Sequence, residues 1–211
     1  CILEAKEQGA SNFSVLCLLK STEPALRALI HAPDFAVDGF LCPGHVAVIT
    51  GSDAFAFLPR EFGLPAVVSG FEPADLLFSI YRLAEMLRQK APALENEYTR
   101  LVCPEGNPAA QSAMERVFLP TDSLWRGLGT IPNSGLALRE AFSPWDAAKK
   151  FGFSPSPTVE LAGCQCGEVI RGACRPEQCP LFGRVCTPAD PVGPCMVSGE
   201  GACAAAYRYQ T

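Results

Sequence analysis

The chain has 211 residues, 48% hydrophobic and 18% charged, with a formal net charge of −5. That length gives a genuine core to one large domain or two small ones, and its interspersed acids and bases leave no basic stripe for nucleic acid. The longest apolar runs, such as Ala54 to Leu58, fall far short of the roughly 20 residues that span a bilayer, so no membrane partner is expected.

In chain order, Ile2 to Gln8 read as the last turns of an amphipathic helix, with Gly9 at its C′ position. No capping residue or initiator methionine precedes them, so part of the natural protein is expected upstream of Cys1. Phe13 to Leu18 is a strand candidate, and Ser21 or Thr22 caps a helix with Pro24 in its first turn. Val37 to Leu41 forms the next strand and ends in the loop Cys42-Pro43-Gly44-His45. A helix over Asp53 to Phe62 and a strand at Ala66 to Val68 follow. After Gly70-Phe71-Glu72-Pro73 comes the longest helix, Ala74 to Gln89, whose Leu76, Leu77, Ile80, Leu83, Ala84 and Leu87 keep helical spacing. Tyr98 to Val102 reads as a strand, Pro108 to Phe118 as a helix, and Trp125 to Leu128 as a further strand.

This alternation predicts an α/β fold with a Rossmann-like parallel sheet covered on both faces. From Phe153 prolines and glycines dominate, and Ser154-Pro155-Ser156-Pro157 reads as a linker. The expected domains are therefore an α/β part at 1–152, with loops lining a cleft at its strand ends, and a small irregular cysteine-rich lobe at 153–211. The latter has too few apolar residues for a core of its own, a deficit that a metal cluster would make good.

Seven of the eleven cysteines crowd into the forty residues from Cys164 to Cys203. An odd total fits poorly with a paired disulfide framework, and an α/β body of this size needs no staples, which points to a reducing cytoplasmic setting. Cys179, Cys186, Cys195 and Cys203 are separated by six, eight and seven residues, in Gly/Pro-rich segments able to turn backbone N–H groups toward bridging sulfides. Zinc sites use short paired knuckles that these four do not form. An iron–sulfur cluster is the leading expectation; zinc and purely structural thiols are the alternatives. The close pair Cys164 and Cys166 either packs beside the cluster or exchanges electrons with it as a dithiol.

Cys42 and His45 lie where a parallel strand ends, the edge at which open α/β sheets bind ligands. They either ligate a metal or poise a nucleophile, or else are a buried thiol and a histidine capping the next helix. Glu72 follows the next strand and would face the same crevice. Arg100 is read as orienting a ligand or making an ion pair, and Asn107 as a helix cap. Cys1, Cys17 and Cys103 read as small packed hydrophobes.

Taken together, Asp38-Gly39-Phe40-Leu41-Cys42-Pro43-Gly44-His45-Val46, Gly70-Phe71-Glu72-Pro73, Glu95-Asn96 with Tyr98, and Glu105-Gly106-Asn107 form a recognisable series. It continues with Cys179-Pro180-Leu181-Phe182-Gly183, Cys186-Thr187-Pro188 and Gly193-Pro194-Cys195-Met196-Val197-Ser198. The series resembles the HypD family of nickel–iron hydrogenase maturation factors, over essentially the whole chain. The resemblance implies a cytoplasmic protein with two α/β lobes and a third carrying a [4Fe-4S] cluster. With a small HypC-like chaperone such a protein would be the scaffold on which iron acquires cyanide and carbon monoxide, the Fe(CN)2CO moiety. Cyanide would come from HypE and HypF. By position, Cys179, Cys186, Cys195 and Cys203 match the cluster ligands, and Cys42, His45 and Glu72 match the loops of the family's central cleft. The family's upstream lobe, with its iron-bearing cysteine and Cys-x-x-Cys pair, has no counterpart in these residues. The chain thus resembles a C-terminal portion, expected to hold a cluster but not to complete assembly alone. Two rivals are a self-sufficient iron–sulfur oxidoreductase acting on a small substrate at the Cys42/His45 crevice, and a structural cluster domain for docking.

Overall fold

The structure is a computed structural model that describes residues 1–153 and 162–209; the expected linker Ser154-Pro155-Ser156-Pro157 lies outside the described residues. The chain opens with helices α1 (Ile2–Glu7) and α2 (Thr22–Ile30). Strand β1 (Phe40–Pro43) runs straight into α3 (Gly44–Thr50), followed by a 3-10 turn (Ser52–Phe55) and α4 (Phe57–Phe62). Next come β2 (Ala66–Ser69), α5 (Pro73–Gln89), β3 (Leu94–Asn96) and α6 (Pro108–Val117). The remainder comprises β4 (Phe118–Trp125), β5 (Gly129–Leu138), a 3-10 segment (Glu140–Trp145), α7 (Ala147–Phe151), α8 (Cys166–Ile170), α9 (Pro194–Val197) and α10 (Ala202–Tyr209). Contacts gather these elements into two compact units: Val37–Val117, and a second joining Cys1–Ala36 to Phe118–Thr211.

The Val37–Val117 unit is the expected parallel sheet. Its strand order is β1-β2-β3, with Phe40 opposite Ala66 and Val67 opposite Glu95. All four residues of β2 are buried, as the middle strand of a sheet covered on both faces requires. Leu58, Val67 and Val68 are its best-buried large side chains. Glu72 precedes α5 in an extended conformation, Pro73 sits at N1 where its missing N–H costs nothing, and Lys90 ends the helix in the left-handed region. The 3.6-residue period was legible in α5, but the phase differs from expectation. Ser79 and Met86 point inward, whereas Leu77 is 70% exposed and Leu76, Ile80 and Leu87 are also exposed. A small polar residue ties the helix to the sheet: the Ser79 hydroxyl donates to Ser69 Oγ at 2.9 Å, and Ser69 Oγ in turn donates to the Gly70 carbonyl.

Other expectations need correction. Cys42-Pro43-Gly44-His45 is not a loop, since it joins a strand end to the first turn of α3. The expected helix over Asp53 to Phe62 is broken into a 3-10 turn and α4. The third parallel strand is Leu94–Asn96, and Tyr98 to Val102 forms a turn that buries Tyr98 and Val102.

In the second unit Phe13 to Leu18 forms no strand; Val15 makes a single bridge to Asp146 and leaves Leu16 and Leu18 exposed. Trp125 to Leu128 is the end and turn of an antiparallel hairpin, β4–β5, which pairs Phe118 with Leu138 and Trp125 with Gly129. A bulge at Asp122 interrupts the ladder, and its carboxylate accepts the Asn133 N–H at 3.0 Å. Bulge and proline together masked the alternation that marks such a pair.

Candidate functional site

At the carboxyl end of the parallel sheet, three strand ends each deliver a side chain to one crevice. Gly44 follows β1 with no room for a side chain, because a Cβ there would lie 2.5 Å from the Ser69 carbonyl and 2.5 Å from the Tyr98 ring. That close approach places His45 in the first turn of α3, its ring stacked on Phe71 with centroids 4.3 Å apart, and Tyr98 tilted 6.4 Å away. Asn96, at the end of β3, shapes the next turn: its Oδ1 accepts the Tyr98 N–H at 3.0 Å and its amide donates to the Val102 carbonyl at 2.9 Å. Arg100 lies 4.4 Å over the Tyr98 ring and donates twice to Asp75, at 3.0 and 2.6 Å. Glu72 stands 3.6 Å from the same guanidinium.

The expected trio is therefore only partly assembled. His45 and Glu72 lie at neighbouring strand ends, but Glu72 turns to Arg100. Cys42 is 3% exposed within β1, and burial pushes its thiol up to about 12. Such a group is protonated at neutral pH and is neither a ready nucleophile nor a ready ligand. Iodoacetamide at pH 8 is expected to modify exposed Cys103 while leaving Cys42 untouched, as peptide mass mapping would show; equal labelling would remove Cys42 from the core. Phe71 and Tyr98 stood in the recognised series without an assigned role, and Asp75 was not singled out. The signal available for Phe71 and Tyr98 was their place two residues past a strand end; Asp75 lies in the first turn of α5. Asn107 caps α6 as expected, accepting the Ala110 N–H at 3.0 Å.

Arg100 also fixes an acid transition. Its guanidinium holds the Asp75 carboxyl below the ordinary 3.8. A depressed carboxylate contributes stability that is present above its unfolded pKa and lost as pH falls through the folded one. Asp75 is thus expected to titrate below pH 3.8, and Arg100→Gln to raise that midpoint toward the ordinary value, read by NMR of the side-chain carbonyl.

The second candidate lies wholly within the cysteine-rich unit. Six cysteines, at 164, 166, 179, 186, 195 and 203, line one small cavity together with Leu181, Phe182, Gly193 and Met196. Its free volume is about 10 Å³. The surrounding core is largely sulfur, with Cys166, Cys186, Cys195 and Cys203 buried beside Val169, Met196 and Ala204. α8 supplies Cys166, α9 Cys195, and α10 Cys203, while Phe182 packs edge-on against Tyr207 of α10 at 6.0 Å. Two backbone N–H groups donate to sulfur, Val192 to Cys186 at 3.4 Å and Cys195 to Cys166 at 3.2 Å.

Cys166 and Cys195 are in direct contact. The Cys195 side chain donates to Cys166 and draws its thiol down to about 7, and the same contact holds Cys195 well above the ordinary thiol range. Burial pushes Cys203 up to about 11. Cys174 packs against this core without lining the cavity, its thiol donating to the Gln165 side chain and the Arg175 carbonyl. Among the described residues, no three Cys, His, Asp or Glu side chains converge closely enough for a single metal ion. The six thiols are spread around a shared space.

Comparison with known proteins settles the kinship. The family model described as "HypD: Hydrogenase formation hypA family" matches residues 1–210. The chain belongs to the HypD family. It is 42% identical over 214 residues to the hydrogenase expression/formation protein HupD of Azotobacter chroococcum mcd 1, a match covering 99% of this chain and 56% of that protein. The hydrogenase maturation factor HypD of Azotobacter vinelandii matches over the same shares at 42%. The Escherichia coli K12 maturation factor HypD is 42% identical over 208 residues, 98% of this chain and 56% of its own length. The chain thus spans a little over half the length of these HypD relatives. Among the described residues no helix is long and apolar enough to cross a membrane.

Proposed function

We propose that this chain is the cluster-bearing part of a cytoplasmic hydrogenase maturation scaffold, and that four thiolates of the sulfur-lined cavity hold a [4Fe-4S] cluster. The observation that carries this reading is the convergence of six cysteines on one cavity in a protein of the HypD family. The donor set suits the group. No carboxylate or imidazole lines the cavity, Leu181, Phe182 and Met196 wall off water, and N–H groups already point at two of the sulfurs.

Cys179, Cys186 and Cys203 are three of the ligands. Sequence spacing gives Cys195 as the fourth. A second reading gives Cys164, and it is favoured by the hydrogen bond that already ties Cys195 to Cys166. When bound, the cluster supplies one-electron chemistry. The protein around it excludes solvent and holds the thiolates.

The strand-end crevice is proposed to receive partner and cargo. Its stacked His45 and Phe71, edged by Arg100 and Glu72, offer an aromatic and charged surface for a HypC-like chaperone carrying the Fe(CN)2CO iron as substrate. HypE- and HypF-like proteins would deliver the cyanide. The rival oxidoreductase loses support because the burial of Cys42 leaves His45 without a reactive thiol partner. Anaerobic purification followed by iron and sulfide analysis, absorbance and electron paramagnetic resonance tests the cluster. Colourless protein with zinc or no metal overturns it. A pull-down with a HypC-like chaperone tests the scaffold, and turnover of a small substrate without any partner overturns that.

A further inference from the structure

The sulfur-lined cavity has a charged neighbour. A second cavity, of about 140 Å³, shares Cys164, Cys166 and Gly193 with it, and its far wall carries Arg126, Glu168 and Arg171. The shared wall is thin because residue 193 is glycine, where a Cβ would lie 2.6 Å from the Cys164 sulfur.

The two guanidinium groups are not equivalent. Arg171 makes a two-pronged pair with Asp34 at 2.7 and 2.9 Å and lies 4.0 Å from Glu168, so two carboxylates offset it. Arg126 has no carboxylate partner among the described residues. It sits at the turn of the β4–β5 hairpin, which packs on α8 so closely that a Cβ at Gly167 would strike the Gly127 carbonyl. One guanidinium N–H donates to the Val192 carbonyl at 3.1 Å, and the Val192 N–H in turn donates to Cys186 Sγ at 3.4 Å. Arg126 therefore acts on the sulfur wall in two ways. It is an uncompensated positive charge on the wall's outer side, and it anchors the residue that hydrogen-bonds Cys186.

Resting on the cluster reading above, we infer that Arg126 tunes the reduction potential of the cluster, holding it above the value the thiolates alone would give. The physical reason is charge. A four-iron cluster on four thiolates is an anion that gains one more negative charge on accepting an electron, so a nearby cation favours the reduced form. An N–H donated to a ligand sulfur works in the same direction, because it draws charge off the sulfur. The couple balances as one electron taken from a reductant, with no bond made or broken and no cysteine changing protonation. Arg126 is exposed to water, so salt should weaken its effect.

The test is a potentiometric titration of the anaerobically purified chain, with dithionite as reductant and the reduced cluster counted by electron paramagnetic resonance. At a fixed applied potential, Arg126→Gln is expected to lower the ratio of reduced to oxidised cluster about three-fold, with iron and sulfide unchanged. At 59 mV per decade for one electron, that is a midpoint about 28 mV lower. Arg126→Lys keeps the charge and should recover more than half of the shift, a rescue that a packing role would not give. Lys150→Gln removes the same charge from α7, where it lines neither cavity, and should leave the midpoint in place. Added salt should carry the wild-type midpoint toward that of Arg126→Gln and move the variant less. An unmoved midpoint in Arg126→Gln, no recovery in Arg126→Lys, an equal shift in Lys150→Gln, or equal salt responses overturn the inference. Colourless wild-type protein would instead remove the cluster reading beneath it, so the two failures are distinguishable.

Discussion

Cys186→Ala is expected to come from anaerobic purification colourless, with its iron reduced to background, whereas wild-type protein should carry about four iron and four sulfide per chain. Cys186 is the most informative single ligand to remove. It belongs to both proposed ligand sets, is buried within the sulfur core, and its Sγ already accepts the Val192 N–H. Alanine leaves that N–H without its acceptor and the cavity without one wall. The loss should extend to folding, because metal-binding free energy is folding free energy in a lobe with so little apolar surface. Far-ultraviolet circular dichroism should then show a less cooperative melt. Cys174→Ala is the control: Cys174 does not line the cavity, so its iron content should match wild type. Unchanged iron in Cys186→Ala would remove that cysteine from the site. The fourth ligand is decided by the same assay on Cys164→Ala and Cys195→Ala, where the ligand's variant should lose the cluster and the other should keep it.

The sequence carried the parallel sheet because its signals were local. Ala66-Val67-Val68 is a short β-branched run with no room for alternation, and Glu72-Pro73 announces a helix start. The cysteine cavity was legible in outline for a different reason: seven thiols in a segment without a greasy core admit few uses. Phase and partner were not legible. The apolar spacing of α5 fits two faces of one helix, and only the sheet beneath it selects the face of Ser79 and Met86. The hairpin was hidden because Pro120 and the bulge at Asp122 break its alternation, while Gly127 and Gly129, which make the turn, resemble ordinary loop residues. Nor could spacing alone show that Cys195 is tied to Cys166, twenty-nine positions away. That contact is tertiary, and it is what opens the choice of fourth ligand. Cys42 shows the same limit: sequence left it open between a reactive thiol and a buried one, and only the strand's place in the sheet shows it buried.

A substitution that touches no sulfur should disable the same lobe almost as completely. Gly201 precedes α10, and a Cβ built there would lie 2.7 Å from the Cys195 carbonyl carbon and 2.9 Å from its Cα, with the carbonyl oxygen nearer still. These are backbone atoms, so no side-chain rotation relieves the contact. Either α9 or α10 must move, and with them Cys195 or Cys203. Gly201→Ala is therefore expected to cost about 3 kcal/mol, at the upper end of ordinary single substitutions, and to lower cluster occupancy although every thiol is present. Gly199→Ala provides the comparison, since a Cβ there meets only the end of the Arg208 side chain at 3.6 Å, an ordinary contact. Chemical denaturation under argon, with iron content measured alongside, should separate the two by a clear shift in midpoint. If Gly201→Ala melts with Gly199→Ala and holds equal iron, the close packing of α9 against the start of α10 does not set the cavity. The ligands would then be positioned by their own loops. If the two diverge as expected, the glycine is as necessary to the site as a cysteine, because it lets the backbone carrying Cys195 and the helix carrying Cys203 come within reach of one another.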